Sequence, residues 1–225
     1  KKNIKELRGY PLLAYSVKAA LNSGVFEQVI VSTENEKIAE IATKYGANVP
    51  FLRPKKFATD DSPDIDWVYH LLKSLEKSNQ LPDCFSILRP SNPFRQPDTI
   101  KRAWDQFKKK DNIDSLRAVE KCRQHPGKMW YLNGGLMTPV LKNEKTEETP
   151  WHSSPYQSLP TIYEQNASLE IAFCEIPLTK KLIAGDSITP FITRGYEGFD
   201  INYLEDWYLA EILVKNNICK LPKMD

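Results

Sequence analysis

No apolar run in these 225 residues comes near the roughly 20 needed to cross a bilayer, and no short apolar leader with a small-residue cleavage site opens the chain. The expectation is a soluble, cytoplasmic protein. Charge of one sign is lacking too. With 31 Lys and Arg against 29 Asp and Glu, the formal charge is +2. That balance leaves no basic face for nucleic acid and no acidic tail, so an anionic ligand would need a local cluster of cations. Cysteine is sparse and scattered. Cys84, Cys122, Cys174 and Cys219 form no C-x-x-C pair and meet no histidine at ligand spacing, which argues against a zinc site and against a disulfide framework. They read as reduced, mostly buried thiols.

What is present is a chain long enough to bury a core without staples, with helical and extended patterns in alternation. Residues 11–23 place Leu12, Leu13, Val17, Ala20 and Leu21 at three- and four-residue intervals, and Gly24 follows as a stop. VIVST at 29–33 is a β-branched strand candidate. After it, ENEKIAEIATKYGA offers Thr33 or Asn35 as a cap, an apolar stripe through Ile38, Ile41 and Ala42, and Gly46 as an end. DIDWVYHLLKSLEKS predicts a helix, CFSIL a buried strand that breaks at Pro90, PDTIKRAWDQFKKKD a helix started by Pro97 and Asp98, and SLRAVEKC a strand. NASLEIAFCEI and DINYLEDWYLAEILVKN close the chain as a strand and a helix.

From Arg123 to Gln165 the period is lost among prolines, glycines and two tryptophans, which predicts an inserted subdomain. The fold expected is a single α/β domain over residues 1–225, its mainly parallel sheet flanked by helices. Such a sheet normally begins with a strand, so a first strand and its loop are expected upstream of Lys1.

Several stretches together resemble the N-acylneuraminate cytidylyltransferase family, the CMP-sugar synthetases of sialic-type nonulosonic acids. They are KNIKELRGYPLLAYSVKAALNS, VIVSTENEKIAEIATKYGA, VPFLRP followed by FATDDS, LRPSNPFR, QSLPTIYEQNAS and GFDINYLEDW, in the family's order and across nearly the whole chain. The resemblance implies a Rossmann-like nucleotidyltransferase sheet and transfer of CMP from CTP to an acidic sugar with release of pyrophosphate. It also implies magnesium or manganese as cofactor, and a homodimer built through the excursion at 123–165. No nucleic-acid or membrane partner is implied.

The resemblance also implies roles. Lys2 matches the lysine that ends the family's phosphate loop and Asn3 the asparagine beside it. Arg53 and Asp64 fall at the nucleotide, where a planar donor fork could read the acceptor edge of cytosine. Asp200 is the implied catalytic carboxylate and metal ligand, and hard divalent cations take oxygen ligands of this kind. Where the family has Asp-Ile-Asp, this chain has Asp200-Ile201-Asn202, so its metal set is Asp200 and Asn202, completed by Asp206, phosphates or water. Arg89, Ser91, Asn92, Arg95, Lys128, Gln157 and Asn166 are the implied acceptor contacts.

Three departures bear on the acceptor. Arg89 stands where the family commonly has glutamine, and Tyr156 where an arginine near the sugar's carboxylate is expected. The family's Asn-Gly-Ala-Ile-Tyr appears here as Asn166-Ala-Ser-Leu-Glu170, which keeps the asparagine and loses the glycine. A carboxylate in a partly dry pocket needs a cation or several donors, for which Arg89, Arg95, His125 and Lys128 are candidates. His70 reads as an ordinary helix-face residue, and no general base is evident. The rival readings are a cytidylyltransferase for a Kdo-like acid or a phosphonate, and a binding homologue that has lost activity. A glycosyltransferase is disfavoured, since no acid-x-acid motif follows FSIL.

Overall fold

The computed structural model describes residues 2–59, 61–143 and 149–225. A 3-10 turn at Lys2–Ile4 leads into a two-residue hairpin, β1 (Glu6–Leu7) and β2 (Tyr10–Pro11), whose turn residues Arg8 and Gly9 both have positive φ. Helix α1 (Leu12–Ser23) follows and ends where expected, at Gly24 with φ 64°.

The stretch at 29–33, expected as a strand, makes one parallel bridge, Ile30 to Asn48, in place of a ladder. The Arg53 amide extends the pairing by donating to the Thr33 carbonyl at 2.8 Å. Between them runs α2 (Glu36–Lys44), capped by the Asn35 side chain, which accepts from the Ile38 amide at 3.2 Å. Thr33, the other candidate, instead accepts from the Asn35 amide.

Then come α3 (Asp64–Lys77), β3 (Cys84–Ile87), α4 (Pro97–Lys109), β4 (Ser115–Lys121), the hairpin β5 (Trp130–Asn133) and β6 (Leu136–Pro139), β7 (Tyr163–Phe173), α5 (Glu175–Lys180), β8 (Ile188–Ile192) and α6 (Leu204–Lys215). The four-stranded sheet has the order β3-β7-β4-β8. Strands β3 and β7 run antiparallel, and β4 and β8 parallel, so the sheet is mixed. The α/β class expected from the sequence holds.

Alternation along the strands fixes two faces. Leu116 and Ala118 of β4, Leu169 and Ile171 of β7 and Phe191 of β8 pack with Ala19 of α1 and with Ile100, Ala103 and Phe107 of α4. Phe85 and Ile87 of β3 turn the other way, onto Val68, Leu72 and Leu75 of α3. Residues interleaved with the first set, such as Arg117 and Glu170, therefore point to the α3 face. A separate cluster of Leu7, Leu12, Tyr15, Phe94, Ile201 and Trp207 ties the N-terminal hairpin to the segment before α6.

The chain up to Val119 and Asn166–Asp225 form one compact unit, and Glu120–Gln165 a second. Within the second, the β5–β6 hairpin turns on Gly134 and Gly135, at φ 57° and 82°, as a tight right-twisting hairpin requires. Cys122, Cys174 and Cys219 are buried and all four thiols are free. Burial pushes the Cys84 thiol up to about 11 and the Cys174 thiol to about 12, so neither ionises near neutrality. No helix among the described residues is long and apolar enough to span a membrane.

Candidate active site

The loop between β8 and α6 is held from both sides. Glu197 accepts from Thr99 and the Arg194 amide at 2.8 Å each and pairs with Arg102. Its carbonyl takes the Asn92 amide nitrogen at 2.5 Å. Four residues on, Ile201 is buried and its amide donates to the Ser91 carbonyl at 3.0 Å. The loop after β3 and the loop before α6 thus meet at Ser91 and Ile201.

Lys2 reaches the same point. Its ammonium donates to the carbonyl of Ile201, the residue that follows Asp200, although Lys2 and Asp200 lie 198 positions apart in sequence. Asp200 Oδ2 accepts from Asn202 Nδ2 at 2.8 Å, while Oδ1 is buried and has no hydrogen-bond partner among the described residues. A carboxylate oxygen left without a partner is the kind of ligand a hard cation takes, and an ammonium held to the same loop is the kind of donor a phosphate takes. Asp206, expected to help complete that set, is engaged otherwise. Its Oδ2 accepts from the Asn202 and Tyr203 amides at 2.9 and 2.8 Å and closes a capping box at the start of α6. No group of three or more His, Cys, Asp or Glu suited to a metal exists among the described residues, so any cation here would lean on Asp200 and on ligand oxygens. Asn3 is half-buried in the same turn as Lys2.

A second group gathers at the start of α3. Arg53 donates through Nε to Ser32 Oγ at 3.0 Å and through Nη2 to the Ser32 carbonyl at 2.5 Å, and its guanidinium lies 4.9 Å over the Trp67 ring. Burial lowers its pKa, opposed by the charges of Glu34 and Asp64. Trp67 Nε1 donates to Asp64 Oδ1 at 2.9 Å, and Arg89 Nη2 donates to Asp64 Oδ2 at 2.7 Å. Burial works against the Asp64 charge, but these two hydrogen bonds and the charges of Arg89 and Arg53 hold it below its ordinary value. Arg89 also suffers from burial, yet Asp64 and Glu170 outweigh that and raise it.

Two expected acceptor contacts prove to be braces of the loop. Asn92 Oδ1 accepts from the Phe94 and Arg95 amides at 3.0 Å each, an Asx turn that closes the bend. Arg95, expected near the sugar, is fully buried. It donates to the carbonyls of Arg89 and Ser168 and, at 2.8 Å, to Ser16 Oγ. No carboxylate among the described residues joins it, and burial pushes it down to about 9. Arg95 shapes the wall and cannot reach a ligand.

Asn166 Nδ2 donates to Thr193 Oγ1 at 2.8 Å and Oδ1 accepts from the Ser168 amide at 3.1 Å. In the second unit, Lys128 spends its ammonium on the His152 and Ser154 carbonyls, at 3.3 and 2.7 Å. Gln157 is exposed and makes no side-chain hydrogen bond among the described residues. His125, weighed as an acid-binding cation, is buried: its Nδ1 accepts from the Gly127 amide at 3.0 Å and Nε2 meets the Pro160 carbonyl at 2.9 Å. Both ring nitrogens are thus engaged with backbone of the second unit, a structural role.

Sequence reasoning missed Glu170, Arg117, Ser32 and Trp67 as members of the site. Only Glu170 carried a signal, as an acid in the middle of an apolar strand. A shallow depression of about 530 Å³ beside α2, lined by Ala39, Val49, Phe51 and Leu52 among others, contains none of these groups.

The geometry joins Lys2 to the loop that carries Asp200, and comparisons with known proteins give the family. The family model described as Cytidylyltransferase matches residues 1–126. The chain is 32% identical over 219 residues to a CMP-N,N'-diacetyllegionaminic acid synthase of Legionella pneumophila, covering 96% of this chain and 90% of that one. It is 28% identical over 218 residues to a pseudaminic acid cytidylyltransferase of Campylobacter jejuni, with the same coverage. Among solved structures, a CMP:2-keto-3-deoxy-manno-octonic acid synthetase complexed with CTP superimposes with a TM-score of 0.69 at 9% identity, over 96% of this chain and 92% of that one, which speaks for the fold. The chain belongs to the cytidylyltransferase family, and it is a nucleotidyltransferase.

Proposed function

We propose that this cytidylyltransferase transfers CMP from CTP to a nonulosonic acid. The acceptor hydroxyl oxygen bonds to the α-phosphorus, the bond from that phosphorus to the oxygen bridging to the β-phosphate breaks, and pyrophosphate leaves. The hydroxyl proton passes to solvent. In-line placement and neutralisation of the triphosphate supply most of the rate in such a transfer.

The observation that carries the reading is the junction of Lys2 with the loop bearing Asp200, whose Oδ1 has no partner among the described residues. Lys2 would pair with phosphate oxygens. Asp200, with Asn202 beside it, would hold a divalent magnesium or manganese ion, which when bound supplies charge neutralisation at the transferring phosphorus. Asn3, Arg53 and Asp64 would hold the nucleoside, Arg53 keeping donors to spare beyond those given to Ser32 and to the Phe57 carbonyl. Arg89, Ser91 and Asn166 would line the acceptor side. The nonulosonic acid class is supported by the relatives, one named for a legionaminic and one for a pseudaminic acid.

The β5–β6 hairpin, with Leu132 and Leu136 more than three-quarters exposed, supports a homodimer through the second unit. Use of CTP fits work in the cytoplasm.

The test is pyrophosphate release by the full-length protein with magnesium, each of the four nucleoside triphosphates, and a panel of nonulosonic acids, Kdo and small phosphonates. Release is expected with CTP and a nonulosonic acid. Release with CTP and only Kdo or a phosphonate would keep the chemistry and replace the acceptor. Silence with every pair, from folded protein, would defeat the reading.

A further inference from the structure

On the sheet face covered by α3, four charged side chains make one connected set. Arg89 Nη2 donates to Asp64 Oδ2 at 2.7 Å and to Glu170 Oε1 at 3.0 Å, and Arg117 Nη1 donates to Glu170 Oε2 at 2.6 Å. Glu170 is buried in the middle of β7 with both oxygens engaged. A carboxylate at such a position costs several kcal/mol unless it is paired and hydrogen-bonded, so the two arginines are what allow it to be there. Arg89 and Glu170 are also two of the positions where the chain departs from the pattern of the family it resembles. The departures touch each other.

The consequence lies in what Arg89 has left to offer. Its Nη2 is spent, while Nε and Nη1 have no hydrogen-bond partner among the described residues and its side chain is 35% exposed. Two acids and two bases cancel within the set, while Arg53, outside it, adds a positive charge that acts on Asp64. A further carboxylate brought to the free edge would meet Asp64 and Glu170 as well as Arg89, and attraction and repulsion would largely offset each other. An uncharged oxygen, a hydroxyl or an amide carbonyl, suffers no such repulsion and gains donors whose direction is fixed by the planar fork.

We propose that Glu170 is a positioning residue. With Arg117 and Asp64 it neutralises and orients Arg89, so that the free edge of Arg89 reads an uncharged oxygen of the acceptor, a hydroxyl or an N-acyl carbonyl, and the acceptor's carboxylate is met elsewhere. This rests on the function proposed above and deepens it.

The two ways of using Arg89 predict opposite signs. If Arg89 held the acceptor's carboxylate through charge, Glu170→Gln would release positive charge and lower the acceptor KM. If Glu170 orients a directed donor, Glu170→Gln raises that KM. The rise expected is roughly tenfold, the size of one hydrogen bond to a charged group, with the KM for CTP changed by less than about twofold. The assay uses the full-length protein with CTP and either N,N'-diacetyllegionaminic or pseudaminic acid, whichever the wild type turns over. Glu170→Asp is expected to recover part of the loss, and in an Arg89→Ala background Glu170→Gln is expected to add less than about twofold, because the effect passes through Arg89.

A lowered or unchanged acceptor KM, an equal rise in the KM for CTP, or additivity with Arg89→Ala would overturn the proposal. Should Glu170→Gln not fold, the charge-balanced pair Glu170→Gln with Arg117→Gln is read in the same way. Failure of both to fold would show a role in the fold itself and also overturn it. A wild type inactive with both acids would instead remove the functional reading on which the proposal rests.

Discussion

Asp64 shows how a single carboxylate at this site depends on its neighbours. Burial alone would raise its pKa, and the Trp67 and Arg89 hydrogen bonds with the two arginine charges reverse that, leaving it below the ordinary 3.8. A carboxyl depressed in the folded state contributes stability that is present above its unfolded pKa and lost as the pH falls through the folded value. The melting temperatures of the wild type and Asp64→Asn should therefore differ by a constant amount from pH 7 to pH 5, and the gap should close below about pH 4. A gap that does not narrow at all as the pH falls from 5 to 2 would refute the account. Arg95 makes the complementary case, since its donors hold the Ser168 and Arg89 carbonyls with no acid nearby. Arg95→Ala would orphan buried acceptors and leave a cavity, at a cost of about 3 kcal/mol or more in urea unfolding. How legible each residue was follows from sequence distance. Lys2 and Asp200 could be singled out through local motifs, whereas Glu170 finds its partners 81 and 53 residues away, at Arg89 and Arg117. No local pattern encodes those contacts.

Elements were legible where one end carries its own chemistry. Helices α1 and α4 begin and stop on Pro11, Gly24 and Pro97 as the sequence implies, because proline and a left-handed glycine act within one turn of backbone. The α2 cap is of the same kind, and Asn35→Ala should cost about 1 kcal/mol in chemical denaturation with activity unchanged, since Asn35 touches only the Ile38 amide among its side-chain partners. An unaltered midpoint would show that the cap contributes nothing. The 29–33 stretch was harder, because β-branched residues favour an extended chain without saying how many rungs a neighbour supplies, and here Asn48 supplies one. The β5–β6 hairpin went unseen for another reason. Asn133, Gly134 and Gly135 between apolar residues are a turn signal, but the strands beside them bury almost nothing, so the alternation that marks a strand is absent.

At the scale of the whole molecule, that same hairpin calls for an explanation. The cross-strand pair Leu132 and Met137 lies on one face, at 77% and 55% exposure, and nothing within the second unit covers it among the described residues. Two large apolar side chains side by side in water forgo about 1.5 to 3 kcal/mol of burial each, which a second copy of the chain could recover in a self-complementary contact. Leu132→Asp with Met137→Asp puts a carboxylate on each strand at that spot and would set four in proximity across a two-fold interface. Sedimentation velocity should then show a dimer for the wild type and a monomer for the double variant at the same concentration. Circular dichroism and melting of the first unit should be unchanged, because Ile100, Leu116, Leu169 and the rest of its core lie outside Glu120–Gln165. A wild type that sediments as a monomer, or a double variant that remains dimeric, would move the interface off the hairpin and leave its apolar face without an occupant.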